Sequence, residues 1–379
     1  MPLNYLELQS QLREYAHKRA AARDKTAVQR EQLLAWLNEC TAAPRETLRL
    51  RCRAFADERC ALPAEEAVNR VFSSSASGDC LLLAADGSQI VPSAHDPVPL
   101  ALVNTSLIAL DTASGQAPMI RTVSTILDDY PADVEFELLS EDLINLKRDV
   151  AELDILVQYT AAQPLPVIAL RDGPLELYHE PRQGRQFQPE FERYIAAMQQ
   201  LAQKDFSLAG YIDRSQSTTI TQMLYIFKTG QPLPKEQKAL PDASLMEALL
   251  PPGRRSAVFE MQSTSSKHYG EALRVYFFYL NVGRPEKAYI VRVEIPAWVA
   301  GNPDKVGRLQ TILVEQCRVM GSRPYPYLLH RAHEEAVVHY DEKEQLQQAL
   351  LLELQKKGMD VLLPSNKLAA KALQTRTRM

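Results

Sequence analysis

The stretch that decides the fold is an apolar run closed by an aspartate, Cys80-Leu81-Leu82-Leu83-Ala84-Ala85-Asp86-Gly87-Ser88. A short apolar run that ends in a Gly-Ser turn is typical of a strand buried on both faces. A second such run, Pro166-Val167-Ile168-Ala169-Leu170-Arg171, ends in Asp172-Gly173. The sequence therefore predicts two buried strands that each carry an aspartate to the rim of a sheet, and one site shared by both carboxylates.

The segments between these two runs predict how the strands are arranged. Two extended stretches, 100–110 and 118–127, are joined by short links, which favours an antiparallel meander. Ser140 is a predicted N-cap, followed by apolar residues at helical spacing as far as Val157. A strand that follows such a helix can lie parallel to the first strand. We therefore expect an α/β fold whose mixed sheet combines an antiparallel meander with parallel strands, flanked by helices.

Both ends of the chain are predicted to be helical extensions of this domain. Residues 1–72 are expected to be helical from residue 3 to about 70 and to contact a second copy or a partner. The main domain is expected over 73–340, with an insertion around 229–270, and residues 341–379 as a helix and a basic tail. Further predicted elements are helix 189–204, strand 208–213, helix 218–228, a hairpin of strands 274–280 and 288–296, and helices 303–320, 329–338 and 342–357.

Composition and missing motifs exclude several classes of protein. The chain has 379 residues, 46% hydrophobic and 24% charged, as in an ordinary soluble protein. We expect no membrane span and no secretion signal, and five cysteines without CxxC spacing favour a reduced, cytoplasmic setting. The net charge of −4 neither indicates nor excludes a nucleic-acid binder. No phosphate loop, dinucleotide fingerprint or nucleophile elbow is present.

Two converging aspartates favour the binding of a divalent metal ion. Mg²⁺ and Mn²⁺ prefer oxygen ligands, and Mn²⁺ tolerates an imidazole. Glu152 borders the apolar stripe of the helix that precedes Asp172, Asp149 is its rival, and His333 is the most suggestive of the seven histidines. Simpler interpretations stay open: each aspartate fits an Asx-Gly turn, Glu152 a solvated helix carboxylate, and His333 a packed or surface residue.

Taken together, these motifs resemble those of the NurA family of nucleases. The resemblance covers about residues 80–340 in order, which no single short motif could match. The matching blocks are Ala84-Ala85-Asp86-Gly87-Ser88-Gln89-Ile90 with Pro97-Val98-Pro99, Leu170-Arg171-Asp172-Gly173-Pro174-Leu175, Gly210-Tyr211-Ile212-Asp213-Arg214-Ser215, Pro252-Gly253-Arg254-Arg255-Ser256, Arg292-Val293-Glu294-Ile295-Pro296, and Tyr325-Pro326-Tyr327-Leu328-Leu329 with Ala332-His333.

The resemblance implies a ribonuclease H-like core and a catalytic metal site. Its catalytic residues, which are also the metal ligands, would be Asp86, Glu152, Asp172 and His333, with Mn²⁺ or Mg²⁺ as cofactor. Glu152 matches the family pattern loosely, and Asp149 remains its rival. No site for an organic cofactor is implied.

The resemblance also implies a substrate and partners. Tyr211, Arg214 and Arg292 are expected to bind substrate, with Arg292 or Glu294 supporting the site. The implied activity is a two-metal DNA nuclease, a single-strand endonuclease and 5′–3′ exonuclease on DNA ends, in end resection or repair. We expect a homodimer working with a HerA-type hexameric ATPase. The alternatives are a catalytically inactive adaptor of a DNA translocase and an RNA-processing nuclease on the same fold.

Overall fold

The fold is described from a computed structural model of the chain. It describes residues 3–74, 79–93, 96, 98–127, 139–160, 165–177 and 187–359, without the side chains of 21–25. The strands in these ranges are β1 (Cys60–Pro63), β2 (Leu81–Ile90), β3 (Ala101–Asp111), β4 (Met119–Leu127), β5 (Val167–Asp172), β6 (Ser207–Ile212), β7 (Phe259–Gln262), β8 (Val275–Asn281) and β9 (Ile290–Pro296). The α-helices are α1 (Tyr5–Thr41), α2 (Arg45–Arg53), α3 (Glu141–Val157), α4 (Phe187–Gln203), α5 (Thr219–Thr229), α6 (Asp242–Leu249), α7 (Gly270–Leu273), α8 (Ala297–Ala300), α9 (Pro303–Val319), α10 (Tyr327–Ala336) and α11 (Tyr340–Lys356).

The chain forms two compact units, each built from separate stretches. The sequence predicts three continuous segments, 1–72, 73–340 and 341–379. The two units instead alternate along the chain. Residues 360–379, which hold most of the predicted basic tail, lie outside the described residues. Unit 1 comprises Met1–Ser77, Gly173–Glu176 and Gly210–Pro324, and unit 2 comprises Gly78–Asp172, Leu177–Ala209 and Tyr325–Met379.

The strands of unit 2 confirm the predicted mixed sheet. β2 pairs with β3 and β3 with β4, both antiparallel, which is the expected meander. α3 then leads to β5, which runs parallel to β2 with Leu81 opposite Val167 and Ala85 opposite Arg171. Ser140 caps α3 as predicted, because its hydroxyl accepts a hydrogen bond of 3.2 Å from the backbone N–H of Leu143. The predicted fold class is therefore confirmed.

The predicted turn after Asp86 is wrong. β2 continues as far as Ile90, because β3 supplies partners along its whole length, with Asp86 opposite Ser106 and Ile90 opposite Leu102. Gly87 is required by helix packing instead: a Cβ added there would lie 2.7 Å from Cγ of Arg148 on α3. A glycine inside a strand often marks such a close approach. Asp86 is therefore an interior residue of β2.

The two faces of the unit 2 strands carry different helices. Side chains alternate between faces along a strand, and Gly87 lies against α3. The opposite face packs against α10 through polar contacts. Ser106 Oγ donates to the carbonyl of Ala332 (2.6 Å), and Asn104 Nδ2 donates to that of Ala336 (2.7 Å). Asp86 belongs to the α10 face, because it lies opposite Ser106 in the register.

Unit 1 contains a strand where the sequence predicts only helix. Residues 60–63 form β1, antiparallel to β7 with Cys60 opposite Gln262, because all four side chains are buried. A short buried apolar run does not separate strand from helix by periodicity. β7 pairs with β8, and β8 and β9 form the predicted antiparallel hairpin. Elsewhere, the predicted helices and strands are present with ends shifted by one or two residues.

The two halves of α1 differ in burial. Leu33 and Leu37 are buried in the apolar core of unit 1, whereas Leu6 is 84% exposed and Leu12 is 59% exposed. The helix is 37 residues long and polar on average. In the part of the chain that the structure describes, no helix combines the length and apolar character needed to cross a membrane.

Leu37→Ala should destabilise unit 1, whereas Leu6→Ala should not. Removing a fully buried leucine side chain costs about 2–5 kcal/mol, because the transfer term and a cavity term add. A solvent-exposed substitution stays within about 0.5 kcal/mol. Urea unfolding followed by circular dichroism would measure both. Equal midpoints for the two variants would contradict the burial of the C-terminal half of α1.

Candidate functional site

The centre of the candidate site is a contact between Asp86 on β2 and His333 on α10. His333 Nδ1 donates to Asp86 Oδ2 over 2.8 Å. The backbone N–H of Gly87 donates to the other carboxylate oxygen over 2.9 Å. Asp86 is 8% exposed, whereas 61% of the His333 side chain is exposed. The pair thus joins a fixed, buried carboxylate to an imidazole that solvent can reach.

Asp172 lies on the same face of the strands as Asp86. The last register pair of β2 and β5 is Ala85 with Arg171. The next residue along each strand is an aspartate, and matching positions in parallel strands project from the same face. Asp172 is the last residue of β5 and is exposed to solvent. The structure therefore pairs Asp86 with His333, and the register directs Asp172 to the same face.

Glu152, a residue of α3, lies on the opposite face of the strands, next to Gly87. Its Oε2 is 2.9 Å from Arg171 Nη2, and Arg171 Nη2 is also 2.9 Å from Asp149 Oδ1. Arg148 adds a longer contact of 3.5 Å to Glu152 Oε1. Both sequence candidates on the helix are therefore held by one arginine. The structure does not place either with the pair of Asp86 and His333.

Arg171 is the residue of this region whose part the sequence analysis missed. It is 3% exposed, and besides the two carboxylates its Nη1 donates to the hydroxyl of Tyr194 on α4 over 3.1 Å. The signal was present in the sequence, because an arginine inside an apolar strand run must find buried counter-charges. The helix before β5 supplies Asp149 as a counter-charge and the carboxyl of Glu152 as a further polar partner.

The surroundings of Glu152 raise the pKa of its carboxyl to about 8. Burial is the largest cause, since it penalises the charged form, and Asp149 and Asp86 add repulsion. Arg171 and Arg148 act in the opposite direction. The carboxyl of Glu152 therefore holds its proton at pH values where an exposed glutamate is ionised.

The donor types of the site fit a divalent cation only in part. The carboxylates of Asp86 and Asp172 and the imidazole of His333 suit Mg²⁺ or Mn²⁺. Glu152 contacts Arg171 and is therefore not free to bind a metal ion in this arrangement. Among the described residues, no three His, Cys, Asp or Glu side chains are grouped closely enough to hold a metal ion. Metal binding therefore stays a prediction.

The backbone that follows Asp172 is fixed by a buried glutamate of unit 1. Glu294 Oε2 accepts hydrogen bonds from the backbone N–H groups of Leu175 (2.9 Å) and Glu176 (3.4 Å). Its other oxygen accepts from Arg292 Nε over 3.0 Å. Both partners of this ion pair are almost fully buried. Glu294, held by Arg292, thus restrains the backbone of Leu175 and Glu176 within unit 1. The supporting role expected of Arg292 or Glu294 stays a prediction.

The three residues expected to bind substrate differ in accessibility. Tyr211 is fully buried, and its hydroxyl lies 3.7 Å from Cys317 Sγ. Arg292 is 1% exposed, with its guanidinium 3.5 Å from the centre of the Phe277 ring. Neither side chain reaches the surface, because both lie inside strands of unit 1. Arg214 is exposed to solvent, and its role in substrate binding stays a prediction.

Glu152→Gln should change how stability depends on pH. The folded state raises the pKa of Glu152 from 4.5 to about 8, so its contribution is fully present below about pH 4.5 and is lost as the pH rises through about 8. We expect the urea midpoint of the wild type to fall relative to that of Glu152→Gln between about pH 5 and 8.

The matched control is Glu141→Gln, which removes an exposed carboxylate from the first turn of the same helix. It should follow the pH dependence of the wild type. Wild-type and Glu152→Gln curves that run parallel across this range would contradict the raised pKa.

Comparison with known proteins shows the family of the chain. The family model described as NurA domain matches residues 80–338. The NurA nuclease from Sulfolobus solfataricus is similar in structure, with a TM-score of 0.52 at 14% identity, covering 76% of this chain and 89% of that chain. Human ENDOV aligns with a TM-score of 0.38 at 14% identity, covering 81% of this chain and 98% of that chain. A search of curated proteins finds no match. Because the family model covers more than half of the sequence, the chain belongs to the NurA family.

Proposed function

We propose that this NurA-family chain is a metal-dependent DNA nuclease, and thus a phosphodiester hydrolase. The observation that carries the proposal is the buried carboxylate of Asp86, hydrogen-bonded to the accessible imidazole of His333. Asp172 projects from the same face on the neighbouring strand. Family membership supports a nuclease, and the two aspartates are the oxygen donors that such chemistry requires.

Each residue of the site has a distinct role in the proposal. Asp86 and Asp172 would hold Mn²⁺ or Mg²⁺, with His333 as a further ligand. When bound in a two-metal arrangement, such ions supply an activated water and neutralise charge on the leaving oxygen. The N–H of Gly87 fixes the carboxylate of Asp86. The exposure of His333 leaves its ring open to an incoming strand.

In the proposal, whether Glu152 can bind a metal ion depends on its contact with Arg171. Its carboxylate contacts Arg171 and would become a ligand only by leaving that guanidinium. Asp149 contacts the same guanidinium and could then remain as its counter-charge. The exchange keeps Arg171 paired, which matters because an unpaired buried charge is costly.

The finer activity and the partners follow from the family resemblance. We propose single-strand endonuclease and 5′–3′ exonuclease activity on DNA ends, in end resection or repair in the cytoplasm. The chain would act as a homodimer with a HerA-type hexameric ATPase. The absence of a phosphate-loop motif from the sequence supports a separate source of ATP hydrolysis. The exposed N-terminal half of α1 is a suitable contact surface.

One observation favours the adaptor as a second candidate function. Glu152 is committed to Arg171 on the face opposite Asp86, which is the arrangement expected if the helix carboxylate has a structural role. An adaptor of this kind would keep the fold and bind a translocase without cutting DNA. Nuclease assays separate the two candidates.

Asp86→Asn and Asp172→Asn should abolish cleavage of linear DNA in the presence of Mn²⁺ or Mg²⁺. We expect a loss of at least about 100-fold, the scale seen when one group that stabilises a transition state is removed. Asp57→Asn, an exposed aspartate of unit 1, is the matched control and should cut like the wild type. Gel assays on end-labelled DNA would measure the rates.

The outcomes of this assay separate the candidates. Undiminished cleavage by both variants would show that the site is assigned wrongly. A wild type that cuts no DNA, even with its translocase, would favour the adaptor. Cleavage of RNA in preference to DNA would identify the RNA-processing alternative.

Replacing apolar residues in the N-terminal half of α1, which are exposed or, for Leu8, half-buried, should weaken the proposed homodimer. Tyr5, Leu8, Leu12 and Tyr15 follow the alternating spacing of three and four that is typical of a helix seam. We expect the variant with Leu8→Ser, Leu12→Ser and Tyr15→Ser to shift from dimer to monomer in light scattering after gel filtration. Leu50→Ser, 66% exposed on α2, is the control. A monomeric wild type, or a triple variant that stays dimeric, would contradict this interface.

A further inference from the structure

A second concave surface lies in unit 1, and no role has been assigned above to any residue that lines it. It is a cavity of about 310 Å³ between the turn at 252–254 and α9. The turn belongs to a sequence block that the proposed chemistry does not use. The polar lining side chains are Ser74, Arg254, Gln310, Thr311, Glu315 and Arg318.

The two arginines of this cavity are without partners. Arg254 and Arg318 are exposed, and neither side chain has a hydrogen bond or ion pair with any described residue. The adjacent Arg255 differs, since it is buried and its guanidinium contacts Glu65. Arg255 thus has a structural role, whereas Arg254 lines the cavity together with the positive charge of Arg318.

The wall that presents Arg254 is rigid. Gln310 is 2% exposed, and its Nε2 donates to the carbonyls of Gly253 (2.8 Å) and Phe72 (3.1 Å). The backbone N–H of Gly253 donates to the carbonyl of Asn281 over 2.8 Å. Gly253 has a φ of +75°, a conformation that favours glycine. Arg254 therefore extends from a turn held on both sides, and Arg318 from the last turn of α9.

The chemistry of the lining selects a phosphate. Guanidinium groups match phosphate oxygens in a planar, bidentate geometry. Two arginines outweigh the single acidic side chain, Glu315, so the cavity attracts an anion. No aromatic side chain lines the cavity in the part of the chain that is described. Bases therefore have nothing to stack on, and recognition would depend on the sugar-phosphate backbone.

We propose that this cavity binds a backbone phosphate of a DNA strand, clamped between Arg254 and Arg318. The preference for phosphate follows from the two guanidinium groups. The choice of DNA as the molecule that carries the phosphate rests on the proposed nuclease function. The site is independent of base sequence and adds affinity without taking part in the chemical step.

The test is DNA binding without cleavage. A fluorescent single-stranded oligomer in EDTA, followed by anisotropy over a series of NaCl concentrations, would give the affinity and its salt dependence. Arg254→Gln with Arg318→Gln should weaken binding by about tenfold at low salt and reduce the log–log salt slope by about 0.7, the value for one lost phosphate contact on a single strand. Arg254→Lys with Arg318→Lys should lose less, because the charge remains.

The control is Lys235→Gln, which removes one exposed positive charge from another loop of unit 1. It should bind like the wild type. A double glutamine variant that binds DNA as tightly as this control, with the same salt slope, would overturn the phosphate site while the nuclease proposal stands. A wild type that binds no DNA would instead overturn the nucleic-acid assignment itself. Equal unfolding midpoints would show that the variants are folded.

Discussion

The parallel pairing of β2 with β5 is the constraint on which the candidate site depends. Matching positions of parallel strands project to the same side, so this register puts Asp86 and Asp172 on one face together. The same alternation sends Arg171 and Gly87 to the other face, toward α3. On that face, Arg171 contacts the carboxyl groups of Asp149 and Glu152. Gly87 has no side chain, which leaves room for Glu152 beside it. One register thus separates the face that holds the candidate site residues from the face that packs against α3.

Polar side chains attach α10 to the strands of unit 2. The apolar pattern of a buried strand does not predict such side chains in its interior. Asn104 and Ser106 of β3 are buried and donate to the last carbonyls of α10. The carbonyl of Ala336 ends the helix and has no partner within it, so the side chain of Asn104 satisfies it. Ser106 adds a second bond, to the carbonyl of Ala332 one turn earlier. The position of His333 is a consequence, since the ring is carried by a helix whose end is attached to the strand beside Asp86.

The sequence predicted the strand order, the parallel strand and the cap at Ser140, because these depend on local periodicity and capping chemistry. It missed the continuation of β2, since Gly87-Ser88 fits a turn until α3 is packed against it. The partner of Glu152 could not be predicted either. A helix pattern shows which side a carboxylate faces, but not that an arginine from the next strand occupies it. The burial of Tyr211 and Arg292 likewise depends on neighbours distant in sequence.

The interleaving of the two units has a consequence for how the protein is made. Asp86 and His333 are 247 positions apart in the chain, and the strands of unit 1 are split by the stretch that forms most of unit 2. Contacts between such distant segments close slowly, because the loop entropy is lost before the contacts form. During synthesis, β2 and β5 emerge long before α10 can cover their polar face. The contact between Asp86 and His333 therefore cannot form before residue 333 has left the ribosome.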